Sequence, residues 1–308
     1  MIYGLGAGIL WALETVLLSI ILSKDTFMET KQIIFLAPFV SAFLNDALSS
    51  IWLFIFRKAK KQYRKTSVFE ALKKRNGKLL LLSGLFGGPL GMSCYLLAIK
   101  YIGASNTAVI SALYPAIGAI LAWIFLKDKL SRKQLIGICV CTFGVIGMVG
   151  TPNNEMINRN YIVFAFACAL FWSLEAVISS YAMKKGEVSF ETALQIRHGT
   201  SIFCYVVLFL PLLHAWGFTI HVITQKSILL LLVTALIETA SYLFYYKAIS
   251  LTGAAKAMSL NITYMVWSVI FGIFLLKEVP QKYEMISIGV LLIGVLLVVQ
   301  NVKENEKE

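Results

Sequence analysis

Three glutamates stand inside stretches that are otherwise apolar, and each has aromatic neighbours about one helical turn away. Glu14 follows Trp11 by three residues and Glu175 follows Trp172 by three, so each pair shares a helix face. Glu238 heads a stripe that runs on through Tyr242 and Tyr245, one carboxylate and two phenols on one side. A carboxylate among ring faces is chemistry for a cation. A quaternary ammonium has no N–H to donate, so ring faces and a nearby negative charge are what can recognise it. One such ring contact contributes about 0.5–2 kcal/mol, so several rings are expected around one ion. An anion would instead call for paired Arg/Lys or helix N-termini. Arg197, next to His198, is thin support for that; the two could pair with a glutamate, relay a proton or snorkel.

The same acids also fit a plainer role, as buried hydrogen-bonding groups that fix helix packing. Asp46, beside Asn45, is open between the two. Asn261, Tyr264 and Trp267 recur at helical spacing late in the chain, and Ser111 and Tyr114 match them earlier. They suit a site wall or helix packing equally. Trp52, Trp123 and Trp216 are placed at depths where an interfacial belt is expected. Lys100, Lys247 and Lys256 lie near segment ends, where snorkelling is the default.

The elements that position these groups follow from the composition. Of 308 residues 58% are hydrophobic and only 14% charged, where a soluble domain carries about 25%. Mean hydropathy is +0.78. The apolar residues come in blocks, and a bilayer core needs roughly 17–25 of them per helix. The blocks predict an all-α integral membrane protein with ten spans, near 3–23, 31–56, 79–101, 104–126, 132–150, 161–183, 190–213, 226–250, 253–276 and 283–300. The first block starts without a basic leader and contains Glu14, so it is expected to stay as a helix rather than be cleaved.

The net charge of +12 does not point to nucleic acid, because ten Lys/Arg fall between Arg57 and Lys78, in one loop. Such a loop is what cytoplasmic placement predicts, and with an even number of spans both termini are expected on that same side. Cys94, Cys139, Cys141, Cys168 and Cys204 lie within apolar blocks without metal-type spacing, so packing is their expected role and no metal or cofactor is called for. No catalytic motif argues for a membrane enzyme.

An internal repeat divides the chain. Leu10-Trp11-Ala12-Leu13-Glu14 corresponds to Phe171-Trp172-Ser173-Leu174-Glu175, and Ala98-Ile99 with Gly103-Ala104 to Ala248-Ile249 with Gly253-Ala254. Leu126-Lys127-Asp128 corresponds to Leu276-Lys277-Glu278, and Gly144 to Gly294. The predicted halves are 1–150, with a cytoplasmic basic loop near 57–78, and 151–300, followed by a cytoplasmic tail at 301–308. Five spans per half is an odd number, so the second half is expected to insert upside down. Inverted repeats with a site at their interface are a transporter architecture. Glu238 has Gly88 as its counterpart, so that carboxylate belongs to the second half alone.

The stretch Gly103-Ala104-Ser105-Asn106-Thr107-Ala108, then Tyr114-Pro115, then Lys127-Asp128, resembles the EamA-type branch of the drug/metabolite transporter superfamily. The second half departs from the pattern, with Tyr264-Met265 where the first has Tyr114-Pro115, so a break in that span is not assured. The resemblance implies ten helices in two inverted halves moving small metabolites across a bacterial cytoplasmic membrane, as a monomer or weak homodimer among membrane lipids. Within the superfamily, the carboxylate–aromatic sets look like those of LicB-type choline permeases. That likeness implies proton-coupled choline import, with Trp11, Glu14, Tyr114, Trp172, Glu175, Glu238, Tyr242, Tyr245, Asn261, Tyr264 and Trp267 as candidate site residues. Protons would be carried by Glu14, Glu175 or Glu238. Another carrier of the same fold, such as an amine or amino-acid exporter, stays open.

Overall fold

The computed structural model describes residues 2–60, 67–126, 131–149, 159–183, 188–277 and 279–300. Most of the basic loop's centre, the charged turn at 127–130, the linker at 150–158 and the tail at 301–308 lie outside these. The regular structure of the described residues is all helical, with no strand among them. The main helices are α1 (Ile2–Leu22), α2 (Lys31–Ala59), α3 (Arg75–Ile102), α4 (Ala104–Ser111), α5 (Tyr114–Leu126) and α6 (Arg132–Val149). After the linker come α7 (Ile162–Met183), α8 (Phe190–Leu212), α9 (Ser227–Thr252), α10 (Ala254–Asn261), α11 (Tyr264–Leu276) and α12 (Lys282–Gln300).

Seven helical segments are long and apolar enough to cross a membrane: α1, α2, α3, Ala104–Leu121, α7, α8 and α9. The sequence reading predicts ten spans; the other three regions carry the shorter apolar stretches Leu135–Gly144, Tyr264–Leu276 and Met285–Gly294. Large apolar side chains face outward, as at Phe203, Phe274 and Ile286, while Glu14, Asp46, Glu175, Arg197 and Glu238 are buried. That is a polar interior with an apolar coat, the arrangement expected when lipid rather than water surrounds the helices. The chain is a multi-pass membrane protein.

Local signals set the helix limits. Thr30 caps α2 by accepting from the Ile33 amide at 3.1 Å, and Ser189 caps α8 through Thr192 at 3.3 Å. Pro115 sits at the second position of α5, where its missing N–H costs nothing, and α4 ends just before it. The corresponding late segment has no proline, yet it breaks at the matching place, between Asn261 and Tyr264. There the Thr263 hydroxyl turns back to the Leu260 carbonyl at 3.0 Å.

Gly103 and Gly253 turn α3 into α4 and α9 into α10 with φ of +82° and +79° and ψ of 162° and 166°. This region of backbone space is essentially open to glycine alone. Gly103→Ala and Gly253→Ala are each expected to destabilise the fold by about 1–3 kcal/mol. Gly199→Ala is the control, because an added Cβ there meets nothing within 4 Å. Thermal unfolding of the purified variants checks this; equal midpoints for all three would refute it.

The packing interleaves the two ends of the chain. Helix α1 lies against α9, α10 and α11, and α7 correspondingly against α3, α4 and α5. Helix α2 packs on α8 and α9, α8 also on α3, and α6 pairs with α12. The Trp–Glu faces of α1 and α7 are thereby brought to the middle.

Candidate functional site

Trp11 of α1, Trp172 of α7 and Tyr242 of α9 meet at the crossing of these helices. Trp11 stands edge-to-face on Trp172, with centroids 5.1 Å apart at 88°, and on Tyr242, at 5.0 Å and 84°. Such T-shaped contacts suit the ring quadrupoles. Beside them lies a small cavity, with room for about one water-sized sphere (~20 Å³), its wall completed by Tyr114, Tyr245, Asn261 and Glu175. The Tyr114 hydroxyl donates to the Met258 carbonyl at 2.9 Å and accepts from the Asn261 amide at 3.2 Å. The break after Asn261 thus turns polar groups toward the rings. The Trp172 indole N–H has no acceptor among the described residues.

Glu175 is the cavity's carboxylate. It accepts from Tyr246 at 2.7 Å and lies 3.5 Å from Arg197 Nε. Gly87 of α3 makes this position possible: a Cβ there would fall 2.0 Å from the carboxyl group of Glu175. Arg197 is the hub of the surrounding network. Its guanidinium pairs with Asp46, donates to the Tyr242 hydroxyl at 2.6 Å and to the Gly87 carbonyl at 3.2 Å, and sits 4.3 Å from the Tyr242 ring centroid. Asp46 also takes bonds from His198 Nδ1, at 3.0 Å, and from Ser201. Arg197 therefore ties α2, α3 and α9 together through its two terminal nitrogens, while its Nε faces Glu175 of α7 and makes no hydrogen bond among the described residues.

Glu14 and Glu238 are fully buried but do not line the cavity. Asn45 donates to Glu14 at 2.9 Å, and Ser49, one turn further along α2, donates to Glu238. Four carboxyl groups (Glu14, Asp46, Glu175, Glu238) therefore share this interior with one guanidinium. A region so biased toward negative charge favours a cation.

Of the sequence-predicted site residues, Trp11, Tyr114, Trp172, Glu175, Tyr242, Tyr245 and Asn261 line one cavity. Tyr264 is buried beside it, its hydroxyl 2.7 Å from Ser111 Oγ. Trp267 lies half-buried against Phe271, away from the cavity. Tyr246 and Tyr95 were not singled out, although one bonds Glu175 and the other packs at a 46° tilt against Trp172, with centroids 4.6 Å apart. Asn45, Ser49 and Asp46 on α2 and Ser201 one turn beyond Arg197 carried a usable signal, as a polar stripe within apolar helices.

The profile of the EamA-like transporter family matches the chain twice, over residues 1–150 and 159–300. The chain belongs to the EamA-like transporter family. Within that family it is 32% identical over 222 residues to Protein LicB of Haemophilus influenzae, covering 70% of this chain and 73% of that one. It is also 25% identical over 247 residues to the uncharacterized transporter YetK of Bacillus subtilis, covering 77% and 72%. A solved crystal structure superposes with a TM-score of 0.64 over 99% of this chain and 98% of the other, at 16% identity, which shows a shared fold. EamA-like proteins are transporters, not enzymes, so the ring-walled cavity is a candidate carrier site rather than a catalytic one.

Proposed function

We propose that this EamA-like protein imports choline or a related quaternary ammonium across a bacterial cytoplasmic membrane, in symport with protons, by alternating access. The observation that carries the proposal is a cavity walled by indole and phenol faces with one carboxylate, Glu175, in its lining. A trimethylammonium head is a bulky, soft cation with no hydrogen bond to give, and ring faces with a diffuse negative charge suit it. Its hydroxyl would find Asn261 or Tyr114. The two rings of Trp11 and Trp172 already touch, so the head group must part them or lie against them on entry.

The moving parts in this proposal are two inverted five-helix halves, 1–150 and 151–300, with both termini and the 301–308 tail cytoplasmic. Three observations support it: the double family match, the glycine corners at 103 and 253, and the packing of α1 on one end of the chain and α7 on the other. The 32% identity to Protein LicB of Haemophilus influenzae agrees with the LicB-type resemblance of the carboxylate–aromatic sets, and it is that resemblance which implies choline as the cargo.

Radiolabelled choline uptake into proteoliposomes, with and without an imposed pH gradient, tests the proposal. Gradient-dependent uptake is expected. Betaine is expected to bind more weakly than choline, because its carboxylate would meet Glu175. Betaine or neutral amino acids binding better than choline would overturn the choline assignment in favour of an amino-acid carrier of the same fold.

A further inference from the structure

We propose that Glu14 and Glu238 together form a proton site separate from the ring-walled cavity, and that the α1–α9 seam links the two. This rests on reading the chain as a proton-coupled carrier, and it divides labour among carboxylates that the sequence leaves equivalent.

The seam can be followed contact by contact. Lys247 Nζ donates to the Tyr3 hydroxyl at 2.8 Å, Ser241 Oγ donates to the Ala7 carbonyl at 3.0 Å, and Tyr242 meets Trp11 at 5.0 Å. From Tyr3 to Trp11 along α1 the partners run back from Lys247 to Tyr242 along α9, so the helices are antiparallel. One turn beyond the ring pair, Glu14 follows Trp11 by three residues and Glu238 precedes Tyr242 by four. The two carboxyl groups therefore occupy the next layer of the same seam, and the charge of Glu238 bears on Glu14. Their exposures are 1% and 0%.

Each carboxyl is half satisfied. Glu14 Oε1 accepts from Asn45 and Glu238 Oε2 from Ser49, whereas Glu14 Oε2 and Glu238 Oε1 have no hydrogen-bond partner among the described residues. Among the described residues no salt bridge reaches either group. The other titratable groups around them include Asp46 on α2, Tyr95 on α3, Glu175 on α7, Arg197 and His198 on α8, and Tyr242 on α9. Arg197 is held by Asp46, Tyr242, Gly87 and Glu175, so it bonds to neither member of the pair, and its charge reaches them only from a distance. Two adjacent carboxylates out of water with no cation between them are costly when both are charged. One proton on either carboxyl relieves the charge. A metal ion wants more ligands, and no group of three or more His, Cys, Asp or Glu suited to a metal occurs among the described residues.

Linkage follows from the shared helices. An ammonium that seats against Trp11 and Tyr242 displaces rings that stand one turn from the carboxyl pair. The shift in the seam alters the carboxyl–carboxyl spacing, and with it the hold on the proton.

The experiment compares choline counterflow, which needs no proton gradient, with gradient-driven choline accumulation in proteoliposomes. Glu14→Gln and Glu238→Gln are expected to keep counterflow within about fivefold of wild type, or about 1 kcal/mol, while accumulating no more choline with a pH gradient than without. Glu238→Asp, which keeps a carboxyl, is expected to restore part of the gradient response. Two outcomes overturn the proposal. In one, both glutamine variants still accumulate choline under a gradient. In the other, both lose counterflow and the choline-induced thermal shift although their unfolding midpoints match wild type, which would place the carboxyls in the substrate site. If the wild type itself shows neither choline counterflow nor uptake, the importer reading fails first, and this one with it.

Discussion

Arg197→Ala is expected to destabilise the protein by about 3–5 kcal/mol, the range for removing one member of a buried ion pair. The size follows from what the guanidinium does. It pairs with Asp46 and Glu175, donates to Tyr242 and to the Gly87 carbonyl, and is itself wholly buried. Alanine would leave two carboxylates without their cation in an interior that already holds Glu14 and Glu238. Arg197→Lys should recover only part of the loss, because a single ammonium cannot reach partners on three sides as the planar fork does. Removing the opposing charge as well, as in Arg197→Met with Asp46→Asn, should be milder than Arg197→Ala alone. Unfolding midpoints of the purified proteins check the series. A midpoint for Arg197→Ala within a degree or two of wild type would mean the hub does not hold the helices.

The second large effect is on binding. Trp172→Ala is expected to weaken choline binding by about thirtyfold, corresponding to about 2 kcal/mol for a desolvated ring–cation contact. Trp172 lines the cavity and braces Trp11, Tyr95 and Tyr114 at once, so its loss also loosens the other walls. Trp172→Phe keeps a ring face and should cost less. Tyr242→Phe is a different case: the ring stays, but its hydroxyl is an acceptor for Arg197 at 2.6 Å. That change should lower stability by about 1–3 kcal/mol, the cost of leaving a buried donor unmet, while affecting choline affinity less than Trp172→Ala does. Calorimetric titration beside thermal unfolding separates the two effects. Equal affinity in Trp172→Ala and wild type would remove the rings from the recognition mechanism.

The membrane class, the rough placement of the helices and the pairing of Trp11 with Glu14 and Trp172 with Glu175 were all legible in the chain. Each depends on local quantities: the length of an apolar block, and a spacing of three residues on a helix of known pitch. The glycine corners were also visible, as matching residues at 103 and 253. The break in the late segment was harder to read. Pro115 announces the early break, whereas the late one depends on Thr263 and on the close approach of α1: a Cβ on Gly8 would lie 2.7 Å from the Asn261 carbonyl oxygen.

Division of the acids into cavity and seam was beyond the sequence. Helical spacing says which residues share a face, but not which neighbour that face is turned toward. Glu14, Glu175 and Glu238 look alike by depth and by aromatic company. Only the rotation of α1, α7 and α9 against one another sends Glu175 into the ring-walled cavity and leaves Glu14 and Glu238 beside Asn45 and Ser49. Arg197 tells the same story. Its partners Asp46, Glu175 and Tyr242 come from three other helices, and no local pattern marks them as neighbours. The apolar blocks determined that charges would be buried in a membrane, because lipid leaves polar groups nowhere else to go. The packing decided which charges meet, because a salt bridge depends on distances between helices that no single helix encodes.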